Sequence, residues 1–156
     1  MKKQIITTLI LTSAISYVGA ADFINNLSVE TLGAIKHTGI TKGEDYGVGV
    51  GVNYSFNKYV TGTVRALSYS NNDWRDSVVD EGFVGVIARV LGNKSVSLNV
   101  IAGGDYSFTS QNWGLSAGLR PEFKLSENIS LFIESRIQFM EDGKNLVSGA
   151  GVNFSF

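Results

Sequence analysis

The sequence predicts an all-β fold, an eight-stranded antiparallel up-and-down barrel, and three observations support that prediction. Apolar side chains alternate with polar or small ones along most of the chain after residue 20, which is the period of a β-strand. The alternating segments number eight, and an even number brings both ends of a barrel to the same side. Polar connections separate the segments, and the chain contains 18 glycines but only one proline.

Residues 1–20 differ from the rest of the chain and have the pattern of an export signal. Lys2 and Lys3 form a basic start, a mostly apolar run follows, and small residues precede the expected cleavage after Ala20. The apolar run is too short to cross about 30 Å of hydrocarbon as a helix. We therefore expect residues 21–156 to form one domain.

Composition excludes several classes of function. The chain has no cysteine, which removes disulfides, zinc–cysteine sites and thiol catalysis. Without the two lysines of the signal, 11 basic residues stand against 14 acidic ones, a net charge near −3. That balance, with no basic cluster, argues against nucleic acid as a partner.

The N-terminal half contains four alternating segments. The first, Leu27 to His37, is the weakest, whereas the second, residues 46–56 (YGVGVGVNYSF), alternates at every position. The third, 60–66, and the fourth, 83–90, alternate valine or alanine with residues such as threonine and arginine. Because successive side chains of a strand point to opposite faces, the apolar residues gather on one face of each segment.

The C-terminal half repeats the pattern more clearly. The predicted strands are 96–103, 113–125, 129–139 and 146–156, and Ile101 is the one noted exception to the alternation. Tight polar turns at 57–58, 92–94 and 126–128 follow the even-numbered segments, and longer polar stretches at 38–45, 70–80, 107–112 and 140–145 follow the odd-numbered ones. Short periplasmic turns and longer extracellular loops are the layout of a transmembrane barrel.

A soluble β-sandwich or lipocalin-like barrel is the alternative, and the two faces of the segments argue against it. The polar faces carry glycines and charges of both signs, which suit a narrow lumen better than a solvated surface. The apolar faces carry aromatic residues that are candidates for two interfacial girdles: Tyr46, Tyr54, Phe56, Tyr106, Trp113, Phe123, Phe139, Phe154 and Phe156.

The signal, the eight segments, the alternation of turns and loops, and the aromatic C-terminal residue together resemble the small outer-membrane proteins of the OmpA/OmpX type. The resemblance covers residues 21–156 and implies a transmembrane β-barrel in the outer membrane. It also implies contact with outer-membrane lipids and lipopolysaccharide, and with periplasmic chaperones and the barrel-assembly machinery during biogenesis. Val152, Phe154 and Phe156 resemble the C-terminal signal that this machinery reads.

The inner faces of such a barrel would carry charges of both signs, which must be paired at that depth. The candidates are Glu30, Arg65, Arg89, Arg120, Glu122, Lys124, Glu134 and Arg136. Eight strands enclose a lumen that side chains can fill, so we predict a plug of arginine and glutamate pairs. A narrow ion channel is the alternative.

The longest polar loop offers a candidate binding surface. Trp74 and Arg75 lie at its centre, and exposed tryptophan beside arginine is typical of binding hot spots. A structural or surface-interaction role follows, with lipopolysaccharide, a host surface or a phage as the contact. No cofactor is expected, because the single histidine gives no metal-ligand spacing and the Gly-x-Gly runs lie inside strands.

A catalytic alternative rests on His37, Asp76 and Ser77, the parts needed for acyl transfer. This set is similar to that of the lipid A palmitoyltransferase barrels, which implies His37 as base, Ser77 as the acyl-handling hydroxyl and Asp76 as its neighbour. The chain departs from those enzymes because it lacks their amphipathic N-terminal helix, and Pro121 is its only proline. The main expectation is a protein that is not an enzyme.

Overall fold

Eight antiparallel strands form one closed barrel in the structure, a computed structural model that describes residues 24–38, 44–70, 79–141 and 143–156. The strands are β1 (Leu27–Thr38), β2 (Glu44–Ser55), β3 (Val60–Ser70), β4 (Glu81–Gly92), β5 (Val96–Ser107), β6 (Asn112–Lys124), β7 (Ile129–Met140) and β8 (Gly143–Ser155). The predicted all-β up-and-down fold is confirmed. In the described part of the chain, no helix is long and apolar enough to cross a membrane.

The sheet closes because β1 pairs with both β2 and β8. Val29 on β1 lies opposite Val52 on one side and Phe154 on the other, and the β1–β8 ladder runs from Ser28 to Thr38. Each strand therefore has a hydrogen-bonded neighbour on both sides. A closed sheet leaves no edge to pair with another chain or to remain unsatisfied in hydrocarbon.

The connections lie at two ends of the barrel. We call the end with residues 56–59, 93–95 and 125–128 the turn end, and the opposite one the loop end. The connections after β5 and β7 are shorter than predicted, because the strand ladders continue to Ser107↔Asn112 and Met140↔Gly143. Only residues 108–111 and 141–142 remain between those strands.

Large apolar side chains cover the outside of the barrel. Leu115 is 71% exposed, Ile133 54% and Leu119 53%, although each lies within a strand. Soluble proteins do not expose contiguous apolar surface on this scale. The arrangement inverts that of a soluble barrel and is the one expected for strands that contact lipid.

The outward-facing aromatic side chains lie near the two ends of the strands. Tyr46, Trp113 and Phe139 are exposed near the loop end, and Phe123 and Phe154 near the turn end. This placement agrees with the predicted girdles of aromatic residues at both interfaces. The rings of Tyr46 and Trp113, which are partly apolar and partly polar, favour the boundary between lipid and water.

Small apolar clusters complete the inner face. Ile101 on β5 packs with Phe83 and Ile87 of the adjacent strand β4, and it is fully buried. Its position explains the exception in the sequence pattern, since an apolar side chain on the inner face is satisfied by apolar neighbours within the lumen. A second cluster contains Leu32, Ala34, Leu67, Phe132 and Val147.

Candidate functional site

The middle of the barrel is filled by buried charged side chains. Glu30 on β1 is fully buried and contacts Nε of Arg65, while its Oε2 lies 2.8 Å from Nη1 of Arg120. Asn53 Nδ2 donates a hydrogen bond of 3.0 Å to the same oxygen. Two guanidinium groups and one amide therefore compensate the negative charge of Glu30. A buried carboxylate without such partners would be strongly destabilising.

A glycine on the neighbouring strand makes room for this arrangement. Gly51 lies opposite Glu30 in the β1–β2 ladder and opposite Arg65 in the β2–β3 ladder. A Cβ at this position would lie 2.9 Å from Cγ of Arg65 and 3.0 Å from Cγ of Glu30. Gly51 thus creates space for two large charged side chains, as the sequence pattern suggested.

Glu134 on β7 is the second buried carboxylate at this level. Both of its oxygens accept hydrogen bonds of 2.7 Å from Nη1 of Arg65. Nε of Arg136 lies 3.4 Å away, and Nη1 of Arg120 lies 3.6 Å away. Arg65 and Arg120 each contact both Glu30 and Glu134, so the pairs form one network across the lumen.

The network continues toward the loop end through residues that the sequence analysis did not select. Nη1 of Arg136 contacts Asp105, and its Nη2 lies 3.4 Å from Glu81. Gln138 donates to Asp105 at 2.9 Å and also to Glu81. Nζ of Lys36 lies 2.8 Å from the other oxygen of Glu81. Glu81 and Asp105 were missed because each lies two residues beyond its predicted strand, on the same inner face.

Two buried phenylalanines stack on the arginines. The guanidinium carbon of Arg120 lies 3.6 Å from the ring centre of Phe132. The Phe83 ring has Arg136 at 4.5 Å and Arg65 at 5.5 Å. Cation–π contacts of this kind strengthen when they are shielded from water, so the rings both fill volume and stabilise charge.

The buried charges balance. The cations are Lys36, Arg65, Arg120 and Arg136, and the carboxylates are Glu30, Glu81, Asp105 and Glu134. We call these eight residues the central network. Seven of the eight side chains are at most 3% exposed, and Lys36, at its loop end, is 15% exposed.

Three predicted lumen residues lie nearer the turn end. Glu122 is partly exposed, accepts a hydrogen bond from Ser130 and lies 3.8 Å from Nε of Arg120. Arg89 donates to the backbone oxygen of Asn93, and Lys124 is exposed. Arg89 and Lys124 make no ion pair with a carboxylate of the described residues. All three border a polar cavity of about 500 Å³ that the turn end surrounds.

The structure describes only one of the candidate catalytic and binding residues of the loops, His37. Nδ1 of His37 lies 3.4 Å from Oε1 of Glu44, and the two side chains are 36% and 51% exposed. The remaining candidates, Trp74, Arg75, Asp76 and Ser77, lie outside the described residues, as does the predicted signal at 1–20. Of the acyl-transfer set, only His37 lies within the described residues.

The residues predicted to guide assembly lie at the C-terminal end of β8 and directly after it. Phe154 and Phe156 are 43% and 60% exposed, and Val152 lies on β8 two residues before Phe154. The role of these residues in assembly remains a prediction.

Among the described residues, no group of three or more histidines and carboxylates could hold a metal ion.

Comparison with known proteins places the fold. The N-terminal β-barrel domain of OprF from Pseudomonas aeruginosa superposes with a TM-score of 0.59 at 18% identity, covering 83% of this chain and 97% of that one. Ail of Yersinia pestis, in complex with the heparin analogue sucrose octasulfate, gives 0.56 at 15% identity, covering 83% and 96%. A structure reported under the de novo design of transmembrane β-barrels gives 0.60 at 17%, covering 85% and 96%.

No protein-family model and no curated protein sequence matches the chain. At these identities the likeness concerns the fold. This chain has the eight-stranded fold of the small outer-membrane β-barrels, which is the fold that the sequence resemblance implied.

Proposed function

We propose that this chain is an integral outer-membrane protein with a structural and surface-interaction role. The observation that carries the proposal is the opposite character of the two faces of the sheet, apolar and exposed outside, charged and buried inside. Only a surrounding apolar solvent makes that distribution favourable, because burying the ionic face and hydrating the apolar face would both cost free energy in water. The expected location is the outer membrane, reached through the export signal.

Fractionation and gel migration test this location. We expect the protein to fractionate with outer membranes, and we expect the unboiled sample to migrate differently from the boiled one, because a folded barrel resists the detergent. Recovery in the soluble periplasmic fraction, with a mobility that boiling does not change, would contradict the proposal.

We further propose that the central network closes the lumen to ions. Two observations support this closure. Arg65, Arg120 and Arg136 each contact at least two carboxylates, and the rings of Phe83 and Phe132 pack against the guanidinium groups. An ion would have to break several paired contacts to pass. In planar bilayers the purified protein should show no stable open state beside a porin as positive control, and reproducible single-channel steps would support the narrow channel instead.

The surface-interaction role is proposed for the loop end. The Ail structure contains a polysulfated sugar, which makes an anionic saccharide, such as lipopolysaccharide or a host surface glycan, a sensible first ligand to test. We propose that Trp74 and Arg75 contact it. Cells that display Trp74→Ala and Arg75→Ala should bind immobilised lipopolysaccharide less than cells with the native chain, whereas Lys58→Ala at the turn end should bind as before. Equal binding by all three would contradict the role of these two residues.

We propose that Val152, Phe154 and Phe156 serve as the recognition segment for the barrel-assembly machinery. Val152 and Phe154 lie on β8, the strand that closes the sheet, and Phe156 follows it directly, so a partner could reach all three before closure. Phe156→Ala should lower the amount of folded protein in the membrane more than it lowers binding per folded molecule. Unchanged membrane levels would contradict this role.

A further inference from the structure

A notch at the turn end has a composition that differs from the rest of the barrel surface. The β3–β4 ladder ends at Val60↔Ala88, and the backbone N–H of Arg89 donates to the oxygen of Tyr59 at 2.7 Å. Beyond that point β4 continues to Gly92 while β3 has ended. A recess of about 320 Å³ lies between this overhang and the β2–β3 turn, lined by Lys58, Tyr59, Arg89, Val90, Leu91, Gly92, Asn93 and Lys94.

The charge of the notch is entirely positive. Lys58, Arg89 and Lys94 line it, and none of its lining residues is a carboxylate. Within the described residues none of the three cations makes an ion pair. Lys58 lies 4.9 Å from the ring centre of Tyr59, and Arg89 donates to the backbone oxygen of Asn93. This contrasts with the central network, where every cation has a carboxylate partner.

One wall of the notch is apolar because β4 contains an irregularity. The pairing of β4 with β5 shifts between Arg89 and Leu91, so the alternation of the strand is broken there. As a result the consecutive residues Val90 and Leu91 are 57% and 65% exposed. Tyr59, in the turn between β2 and β3, is 55% exposed. The cations thus stand directly beside apolar surface that continues onto the outer face of the barrel.

We infer that this notch binds the phosphate of an anionic phospholipid in the leaflet that the turn end faces. A lipid presents a phosphate next to acyl chains, which matches three cations next to Tyr59, Val90 and Leu91. The guanidinium of Arg89 suits phosphate because its planar fork can donate two parallel hydrogen bonds. Anionic lipids should be preferred over zwitterionic ones, because no acidic side chain of the notch is available to pair with a choline group. The inference rests on the proposed membrane location.

The preference for anionic lipid is measured by native mass spectrometry of the barrel released from nanodiscs that contain equal amounts of phosphatidylglycerol and phosphatidylcholine. The native protein should retain the anionic lipid more than about fivefold better than the zwitterionic one, because one cation near the membrane surface already gives a preference of about that size and the notch has three. The double variant Lys58→Gln, Lys94→Gln leaves only Arg89 of these three cations and should reduce this preference. The double variant Lys124→Gln, Lys144→Gln removes the same charge outside the notch and should keep it.

The outcomes separate the alternatives. Equal retention of both lipids by the native protein overturns the inference, whatever the variants do. An equal loss of the preference for anionic lipid in the two double variants also overturns it, because that result would indicate a general effect of charge. Displacement of the lipid by inorganic phosphate at millimolar concentration would show that the notch binds free phosphate rather than lipid. A native chain that does not enter nanodiscs as a heat-modifiable barrel overturns the proposed function, and this inference with it.

Discussion

Neutralising Glu30 is the sharpest test of the central network. Glu30→Gln keeps the shape of the side chain but removes one of the four buried negative charges. Arg65 then has Glu134, which Arg136 also contacts, and Arg120 has Glu134 and the partly exposed Glu122. Breaking a buried ion pair costs about 3–5 kcal/mol. The amide oxygen can still accept one hydrogen bond, which recovers about 1 kcal/mol. The free energy of unfolding should therefore fall by about 2–4 kcal/mol.

The measurement is denaturant unfolding in phosphatidylcholine vesicles, followed by tryptophan fluorescence, with the midpoint and slope compared between variants. Glu127→Gln at the exposed turn after β6 is the matched control and should change stability by about 0.5 kcal/mol or less. The variant Glu30→Gln, Arg120→Gln restores the charge balance, so its loss should be smaller than the sum of the two single losses by about 0.5–3 kcal/mol. A Glu30→Gln loss no larger than the control, or strict additivity in the double variant, would refute the reasoning.

Three further predictions concern the packing of the two faces. Gly151→Ala should destabilise the barrel by about 1–3 kcal/mol, because its Cβ would lie 2.1 Å from the backbone oxygen of Thr31. Gly33→Ala, whose Cβ would have no atom within 4 Å, should leave the stability unchanged. Thermal gel-shift curves of the two variants measure the difference. Ile133→Arg should lower the free energy of unfolding in vesicles by about 2–4 kcal/mol if that side chain faces the bilayer centre. Leu125→Arg at the turn end should lower it by only about 0–1 kcal/mol. Equal unfolding midpoints for the two variants would contradict a lipid-facing Ile133. Phe132→Ala should cost about 3–5 kcal/mol in the same unfolding assay, and an unchanged midpoint would mean that the ring does not fill the lumen.

The fold was predictable because two-residue alternation persists over whole strands. A run such as residues 46–56 leaves no competing interpretation as a helix, and eight such runs determine the strand order in an up-and-down barrel. The strand ends were less predictable. At the loop end β4 begins at Glu81 and β5 runs past Asp105 to Ser107, whereas the predicted strands stopped two residues short of both carboxylates, although these continue the inner-face alternation.

The central network was predictable in its residue types and only partly in its membership. Glu30, Arg65, Arg120, Glu134 and Arg136 lie together because they occupy the inner face at similar depth. Depth depends on the stagger between strands, which a single sequence does not contain. For that reason Arg89 and Lys124, on the correct face, lie near the turn end, and the pair of Lys36 and Glu81 at the loop end was missed.

The closing ladder between β1 and β8 has a consequence for the order of folding. Each of the other seven ladders joins strands that follow one another in the chain, whereas Ser28 meets Ser155 only after nearly the whole chain is in place. Contacts so distant in sequence form late and slowly, since the chain between them must be ordered first. Before that step the partly built sheet carries two open edges beside apolar faces, which is the state most prone to aggregate. The period of greatest risk for this protein is therefore its assembly.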